Sequence, residues 1–292
     1  MLLELAFLGL GAMGGGMARC LLRAGYTVTA FDPDAGSLAA VAAEGARPAA
    51  SAREAVGHGQ VVLTSLPNSE VLVQTAEVDL LPKARPGQVF TDLGTVVTAE
   101  VRRLAQAFAA RGAALLDAPV SGGPSGAAQG ELRIFVGGDH AIFQQCRDVL
   151  AVLGAADGVT YCGPSGCGQI VKGVNQLAMG LVNAAVLEAL AFGVLAGVDI
   201  QTLARAVGGT TGWRSVLGGV CGQVAAEAGN MVGTKVDQLP YFLNEARRHG
   251  FDLPLSHALR EFCKDGPIVG MEANRRSPSF WHQLRAQGDR RA

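Results

Sequence analysis

Short apolar stretches alternate with segments of helical periodicity over the first half of the chain. The segment that begins at Thr98 repeats apolar residues at steps of three and four positions, which indicates an amphipathic helix. Strands that alternate with helices are typical of a mainly parallel, doubly wound sheet. We therefore predict an α/β domain with strands at residues 5–10, 26–31, 60–66, 88–93, 113–120 and 132–138.

The strand pattern stops near Gly163, and the remainder of the chain has the periodicity of helices. Breaks in the helical pattern fall near Val198, Gly208, Gly229 and Asp252. We expect an α/β domain, then a long connecting helix, then an all-α C-terminal domain. Their predicted bounds are 1–163, 164–198 and 199–292.

Two apolar stretches resemble membrane or targeting segments. The run from Leu177 to Val198 is long enough to cross a bilayer, but Asn183 and Glu188 near its middle would be costly in lipid. We interpret it as a helix buried between domains. The apolar start of the chain carries Glu4 and no basic segment, which favours a first strand over a signal peptide.

The composition indicates which binding partners and which cellular compartment to expect. The chain has 292 residues, a formal net charge of -1 and 49% hydrophobic residues, so no strong positive field attracts nucleic acid or an anionic membrane. Its six cysteines form no CxxC pair, and its five histidines are dispersed. We expect reduced thiols, no metal site, no nucleic-acid or membrane partner, and a cytoplasmic protein.

A glycine-rich loop directly follows the first predicted strand. Gly9, Gly11 and Gly14 follow the spacing GxGxxG and open a helix, with Ala12 and Met13 between the last two. This is the Rossmann fingerprint, in which the glycines allow a tight turn, a close approach of a pyrophosphate and close helix packing. The spacing predicts a dinucleotide site, to which all of these loop residues contribute.

The second strand ends in an acidic residue, Asp32, which lies 23 residues after Gly9. A carboxylate at this point accepts hydrogen bonds from ribose hydroxyls and repels a 2′-phosphate. No arginine follows it, since the next residues are Pro33 and Asp34. We expect NAD as the cofactor, with NADP as the alternative.

A second glycine loop, at Ser121, Gly122 and Gly123, lies between two apolar stretches. Its backbone amides and hydroxyl could bind an anion such as a carboxylate. By itself, the loop is better explained as a flexible turn rich in glycine and serine.

A third segment, "GPSGCGQIVKGVNQ", places Lys172, Asn175 and Gln176 on one face of a predicted helix. The helix is otherwise apolar, and burial of a lysine lowers its pKa toward the range that suits proton transfer. A lysine near a helix start is more often a solvent-exposed residue, so the segment alone favours that interpretation.

Together, these segments resemble the β-hydroxyacid dehydrogenase family, which includes 3-hydroxyisobutyrate dehydrogenases and tartronate semialdehyde reductases. "FLGLGAMGGGMA" is similar to the family's cofactor signature, "DAPVSGGPSGAAQGEL" to its substrate signature, and "GCGQIVKGVNQ" to its catalytic signature. The weaker segments "SLPN" and "TDLGT" match in order and spacing. The resemblance covers almost the whole chain.

The resemblance implies an oxidoreductase that transfers a hydride between a nicotinamide cofactor and a small 3-hydroxy acid or its semialdehyde. Lys172 would be the general acid and base, and Asn175 would orient the reacting group. The resemblance further implies that the Ser121 loop, with Gly122 and Gly123, holds the substrate carboxylate and that the C-terminal domain forms part of the substrate pocket. The residues expected to line the cofactor are Leu66, Pro67, Asn68 and Thr95.

The chain departs from the family pattern at three points. Gln176 stands where many members have a second asparagine, as in tartronate semialdehyde reductases. Gly94 stands where a serine usually precedes the threonine. The later "KDL" signature has become "TKVDQL", so that its lysine aligns with Asp237 and leaves Lys235 as the candidate cofactor contact.

Three alternatives share this fold. Imine reductases typically lack the lysine, and 6-phosphogluconate dehydrogenases are longer and need a basic cluster for a sugar phosphate. A non-catalytic NAD(P)-binding relative need not retain Lys172. In the family, the connecting helix and the domain that follows commonly support dimers or tetramers, so we expect a homodimer or homotetramer.

Overall fold

The computed structural model describes residues 3–225 and 232–264. The chain divides into two compact units, with the boundary between Lys172 and Gly173. The first unit contains a sheet covered by helices, and the regular elements described in the second are helical. This confirms the predicted α/β fold followed by an all-α region. The exact domain bounds stay a prediction.

Nine strands form the sheet of the first unit. They are β1 (Glu4–Leu8), β2 (Thr27–Phe31), β3 (Arg47–Pro48), β4 (Val61–Thr64), β5 (Val89–Asp92), β6 (Ala114–Asp117), β7 (Val120–Ser121), β8 (Leu132–Gly137) and β9 (Gly154–Gly163). The six strands predicted from apolar runs are all present, while β3, β7 and β9 were not predicted as separate strands.

The strand order is β3-β2-β1-β4-β5-β6-β8-β7, and β9 pairs with β8. The six strands from β3 to β6 run parallel, whereas β8 is antiparallel to both β6 and β7. The order reverses between β1 and β4, where the crevice at the carboxyl ends of the strands is the usual ligand site of such a sheet.

The helices of the first unit connect successive strands. They are α1 (Gly14–Arg23), α2 (Ala35–Ala42), α3 (Ala52–His58), α4 (Ser69–Thr75), α5 (Thr98–Ala109), α6 (Gly123–Gln129) and α7 (His140–Leu153). A π-helical turn at Ala76–Leu80 and a 3-10 turn at Leu81–Lys83 follow α4.

Both faces of the sheet are buried, as expected for parallel strands that carry helices on both sides. Along β1, Leu5 and Phe7 join one apolar cluster, while Ala6 and Leu8 join a second one. These four side chains are at most 1% exposed. The alternation buries both faces of the strand between two apolar clusters and therefore fixes where its carboxyl end lies.

Helix α8 (Cys167–Leu195) begins in the first unit and supplies the start of the second. The second unit continues with α9 (Ile200–Val207), α10 (Gly212–Ala225), a 3-10 turn at Val236–Gln238, α11 (Leu239–Arg248) and α12 (Pro254–Phe262). Their apolar faces meet in a third cluster, which includes Leu187, Val220 and Leu239. The predicted break near Gly229 lies outside the described residues.

By length and composition, α8 qualifies as a membrane-spanning helix, and 28% of its most apolar 18-residue window is buried. That is weak evidence for a membrane, because core helices of soluble proteins pass the same test. Asn183, near the middle of the helix, donates a hydrogen bond from Nδ2 to the carbonyl of Val232 at 3.2 Å. Its polar group is therefore satisfied within the protein.

Candidate functional site

The three glycines of the first loop perform three different tasks. Gly9 has φ +89°, and a Cβ there would lie 2.4 Å from the carbonyl oxygen of Ser65. A Cβ on Gly14 would lie 1.9 Å from the carbonyl oxygen of Gly9. At Gly11, which is exposed, a Cβ would meet nothing within 4 Å. Folding therefore requires Gly9 and Gly14, whereas the bare backbone at Gly11 leaves room for a ligand.

Ala12 and Met13 complete this loop at the start of α1, where backbone amides and the helix dipole favour an anion. Ala12 is exposed, and Met13 is partly buried against one of the two sheet cores. The predicted phosphate loop thus has an open side and an anchored side. It fits the pyrophosphate of a dinucleotide.

Asp32 follows β2 and lies beside the glycine loop. Its carboxylate accepts hydrogen bonds from the backbone amide of Leu10 at 2.6 Å and from that of Asp34 at 2.8 Å. These bonds fix the orientation of the carboxylate, and its remaining lone pairs can still accept hydroxyl donors. The position fits recognition of a ribose and opposes a 2′-phosphate.

The segment after β4 lies against the same loop. The side chain of Leu66 would be 3.2 Å from a Cβ on Gly9. Asn68 accepts a hydrogen bond at Oδ1 from the backbone amide of Val71 at 2.9 Å, and so caps α4. Pro67 is exposed between them. Leu66 is therefore adjacent to the phosphate loop, while the side-chain oxygen of Asn68 serves the fold.

Thr95 is half-buried in the loop after β5. The residues on either side of it are held by Gln169 of α8, whose Nε2 donates to the carbonyl of Gly94 at 2.9 Å. The Oε1 atom of Gln169 accepts from the backbone amide of Val96 at 3.1 Å. This glutamine was not selected from the sequence, although it lies within the "GCGQIVKGVNQ" segment.

In the second glycine loop, part of the glycine requirement comes from the chain itself. Gly122 has φ +145° and Gly123 has φ +65°, a backbone region that other residues rarely adopt. A Cβ on Gly122 would also meet Leu132 at 2.9 Å, whereas one on Gly123 would meet nothing within 4 Å. The loop is thus a fixed turn after Ser121, the end of β7, and its open position is Gly123.

Helix α6, which follows that loop, packs closely on α1. A Cβ on Gly16 of α1 would lie 2.9 Å from the backbone nitrogen of Ala128. The side chain of Arg23 donates to the carbonyl of Ala128 at 2.7 Å. Gly16 of "GAMGGGMA" therefore serves this helix contact, which joins the helix after the phosphate loop to the helix after the second glycine loop.

Lys172 is 6% exposed, although it carries an amine. Its Nζ donates a hydrogen bond to the carbonyl of Val120 at 2.7 Å, directly before Ser121. Of the two interpretations of this lysine, the solvent-exposed one is therefore wrong. Lys172 and the second glycine loop, which lie about 50 residues apart in the sequence, are brought together.

Asn175 and Gln176 follow on α8, in the second unit. Asn175 is half-buried, and Gln176 is 6% exposed, with its Nε2 donating to Oε1 of Gln238 at 3.4 Å. Lys235 is half-buried at the start of the 3-10 turn, and Asp237 is exposed within that turn. Whether Lys235 replaces the family's later lysine stays a prediction.

Asp117, at the end of β6, is a buried acid that the sequence did not single out. Its carboxylate accepts hydrogen bonds from the backbone amides of Gly166 at 2.8 Å and Gln169 at 3.1 Å, at the start of α8. Burial raises the pKa of this carboxyl to about 6, and the backbone hydrogen bonds oppose that shift. Asp117 thus anchors the first turn of the helix that carries Lys172.

Two family models together match most of the chain. The NAD-binding domain of 6-phosphogluconate dehydrogenase matches residues 4–163, and the NAD-binding domain of NADP-dependent 3-hydroxyisobutyrate dehydrogenase matches residues 166–271. Among curated relatives, the 2-(hydroxymethyl)glutarate dehydrogenase of Eubacterium barkeri is 36% identical over 212 residues, which are 72% of this chain and 70% of that protein.

A 3-hydroxyisobutyrate dehydrogenase of Pseudomonas aeruginosa is 35% identical over 241 residues, or 80% of each chain. Among solved structures, the Mycobacterium tuberculosis 3-hydroxyisobutyrate dehydrogenase with L-serine superposes with a TM-score of 0.80 at 28% identity. That match covers 98% of this chain and 100% of the other. With the glycine loop, Asp32 and the buried Lys172, these matches place the chain in the β-hydroxyacid dehydrogenase family of NAD(P)-dependent oxidoreductases.

Proposed function

We propose that the chain oxidises a small 3-hydroxy acid with NAD, or reduces the corresponding semialdehyde with NADH. The single observation that carries this proposal is the buried Lys172, whose amine lies 2.7 Å from the carbonyl that precedes Ser121. A proton-transfer group therefore lies beside a loop with an open, anion-binding position. This is the combination that oxidation of a hydroxy acid requires.

The phosphate loop and Asp32 hold the cofactor in this proposal. Gly9, Gly11 and Gly14, with Ala12 and Met13, form the pyrophosphate loop, and Asp32 accepts from the ribose. Leu66, Pro67, Asn68 and Thr95 line the nicotinamide side, and Lys235 is a further contact. When bound, the nicotinamide supplies the acceptor or the donor of the hydride.

The Ser121 loop binds the carboxylate of the substrate. The Ser121 hydroxyl and the amides of Gly122 and Gly123 supply neutral donors, which complement one negative charge. The fixed positive φ of both glycines means that the loop loses little freedom on binding. Asn175 and Gln176 are the side chains that orient the hydroxyl-bearing part of the substrate.

Lys172 moves the proton. In oxidation its neutral amine uses a lone pair to accept the hydroxyl proton, while an N–H of the same amine can remain bonded to Val120. In reduction the ammonium returns that proton to the new alkoxide oxygen. Burial keeps competing water away from Nζ, which favours transfer to the substrate.

The proposal includes a homodimer or homotetramer in the cytoplasm, with no nucleic-acid or membrane partner. The support for the oligomer is the apolar surface of the second unit, where Val174 is 63% exposed and Phe192 is 79% exposed. Large exposed apolar side chains on one long helix favour coverage by another copy of the chain. Sedimentation at several protein concentrations tests this, and a monomer throughout would contradict it.

A substrate panel tests the proposed activity. The purified chain is mixed with 2- and 3-hydroxy acids, each with NAD and with NADP, and the formation of reduced nicotinamide is followed by absorbance. We expect turnover with a short 3-hydroxy acid and NAD. No turnover across the panel would contradict the activity, and turnover with NADP alone would contradict the role assigned to Asp32.

A further inference from the structure

Gln169 joins helix α8 to the loop after β5 through its side chain. The residue is fully buried, and its amide makes two hydrogen bonds to backbone atoms of that loop. The nitrogen donates to Gly94 and the oxygen accepts from Val96, so the two bonds enclose Thr95. A side-chain amide supplies a donor and an acceptor together, which no hydrocarbon or carboxylate of similar size can do.

The backbone of Gln169 is held as firmly as its side chain. Its amide nitrogen donates to Oδ2 of Asp117 at 3.1 Å. The residue therefore connects the end of β6, the start of α8 and the loop after β5. Three bonds at a fully buried residue leave little room for independent movement of these segments.

Lys172 lies three residues after Gln169 on the same helix, a spacing that places both side chains on neighbouring positions of one face. Lys172 reaches the carbonyl of Val120 from that face. The same helical turn thus holds the Thr95 loop through Gln169 and the Ser121 loop through Lys172.

We infer that Gln169 is a positioning residue, which fixes the Thr95 loop relative to the amine of Lys172. The inference rests on the proposed function, in which Thr95 contacts the nicotinamide side of the cofactor. Hydride transfer and proton transfer then occur at distances set by one helical turn. Loss of the two side-chain bonds would let the loop move while the lysine remained in place.

Two variants and one control test this role. Gln169→Ala removes both bonds, and Gln169→Glu keeps an acceptor for Val96 but loses the donor to Gly94 when ionised. The control is Gln88→Ala, because Gln88 is also buried and directly precedes β5. Its Nε2 donates to the carbonyls of Val56 and Gly59. It reports the cost of losing a buried glutamine away from the site.

For Gln169→Ala we expect the Kd for NAD to rise by about tenfold and kcat to fall by a similar or larger factor. The deuterium isotope effect on kcat should increase, because misplacement slows hydride transfer more than product release. Amide hydrogen exchange at Val96 should accelerate. Gln88→Ala should lower thermal stability while leaving the NAD affinity and the isotope effect unchanged.

Gln169→Glu adds a pH readout. When protonated, the glutamic acid again offers a hydroxyl donor and a carbonyl acceptor, so its activity relative to wild type should recover as the pH falls. Asp92 and Asp117 on the sheet, Arg102 near Gly166, and Lys172 on the helix are the charged groups around this site. All are retained in both proteins, so the parts of the pH profile that do not depend on residue 169 cancel in the activity ratio.

Wild-type NAD affinity and an unchanged isotope effect in Gln169→Ala would overturn the inference, even if the variant were less stable. If the wild-type enzyme turned over no hydroxy acid, the proposed activity would fail. The inference about Gln169 would then be decided by NAD affinity and Val96 exchange. An unchanged value of both would overturn it, and changes in both without changes in Gln88→Ala would support it.

Discussion

Asp92 and Asp117 occupy paired positions in the register of β5 and β6, so that two buried carboxyls end neighbouring parallel strands. Burial raises the pKa of each to about 6. Both carboxyl oxygens of Asp117 accept from backbone amides at the start of α8, whereas Oδ2 of Asp92 is buried and has no hydrogen-bond partner among the described residues. The carboxyl ends of β5 and β6 therefore hold two buried carboxyl groups, and one oxygen of the Asp92 carboxyl is left without a hydrogen bond from the described residues.

Acidification should stabilise the protein through Asp92. Its folded pKa of about 6 lies above the usual aspartate value of 3.8, so the folded state binds more protons between these values. The stabilising contribution is complete below the unfolded pKa and is lost as the pH rises through about 6. The unfolding free energy of wild type minus that of Asp92→Asn should therefore rise as the pH falls from about 8 to about 4.

Urea unfolding of both proteins across this pH range measures the difference. Its span should be on the order of 2 to 3 kcal/mol. Asp117 titrates in both proteins, so its own contribution largely cancels. A difference that stays constant with pH would show that Asp92 is ionised throughout and that its burial cost is met in another way.

The substitution Gly94→Ser should stabilise the protein at neutral pH. A Cβ at Gly94 would lie 3.4 Å from both carboxyl oxygens of Asp92, an ordinary contact from which a serine hydroxyl could donate to Oδ2. We expect a gain of about 1 kcal/mol in urea unfolding. Gly94→Ala is the control, since it adds the Cβ without the hydroxyl. Equal stability of the serine and alanine variants would contradict the proposed hydrogen bond.

Removal of the Asp117 carboxylate should affect both folding and catalysis. Asp117→Ala leaves two amides at the start of α8 without their acceptor, at a cost of roughly 2 to 4 kcal/mol. Because the same helical turn carries Lys172, kcat should also fall. The free energy of unfolding and kcat are both measured at low temperature, where the variant remains folded.

The matched control for Asp117 is Asp139→Ala. Asp139 caps α7 through two similar hydrogen bonds, to the amides of Ala141 and Ile142, but it is exposed and lies on another helix. This variant should lose about 1 kcal/mol and keep its kcat. If Asp117→Ala also kept its kcat, the carboxylate would serve folding alone.

Gly11→Ala and Gly14→Ala should fail in different ways. At Gly11 a methyl group meets open space, so we expect normal stability but an NAD affinity weaker by about tenfold or more. At Gly14 a methyl group meets the carbonyl of Gly9, so the variant should be strongly destabilised.

Calorimetry and titration with NAD separate these two outcomes. Gly57→Ala, an exposed helical position with open space around it, controls for the substitution itself and should change neither affinity nor fold. Normal NAD binding by Gly11→Ala would contradict the assignment of this loop to the pyrophosphate.

The sequence predicted the sheet and the first glycine loop, because these depend on local periodicity and spacing, whereas the roles of Lys172 and the Ser121 loop came from the family resemblance. It did not predict Asp117 or Gln169, since their roles arise from contacts with segments about 50 and about 75 residues away. It also missed β9, where polar and glycine residues interrupt the apolar pattern of a strand at the end of the sheet.

The glycines of the second loop show that composition alone does not tell whether a ligand or the fold requires a glycine. They are consistent with a ligand, but the positive φ of Gly122 and Gly123 and the contact with Leu132 explain much of the requirement. Likewise, Gly16 serves the packing of α1 on α6. A bound substrate would account for the open position at Gly123 and the buried amine of Lys172. Neither feature follows from the number of glycines in the loop.

The role of Lys172 as acid and base is the central claim, and its variants test it most directly. Single-turnover formation of reduced nicotinamide is measured with the best hydroxy acid for wild type, Lys172→Ala and Lys172→Arg, alongside the Kd for NAD. Lys83→Ala, at an exposed position on the 3-10 turn after α4, is the control.

We predict that both Lys172 variants lose about 10²- to 10⁴-fold in rate while NAD affinity is retained, because alanine has no amine and arginine stays protonated. The exposed-lysine control should keep the wild-type rate. A single-turnover rate close to wild type in Lys172→Ala would contradict the account.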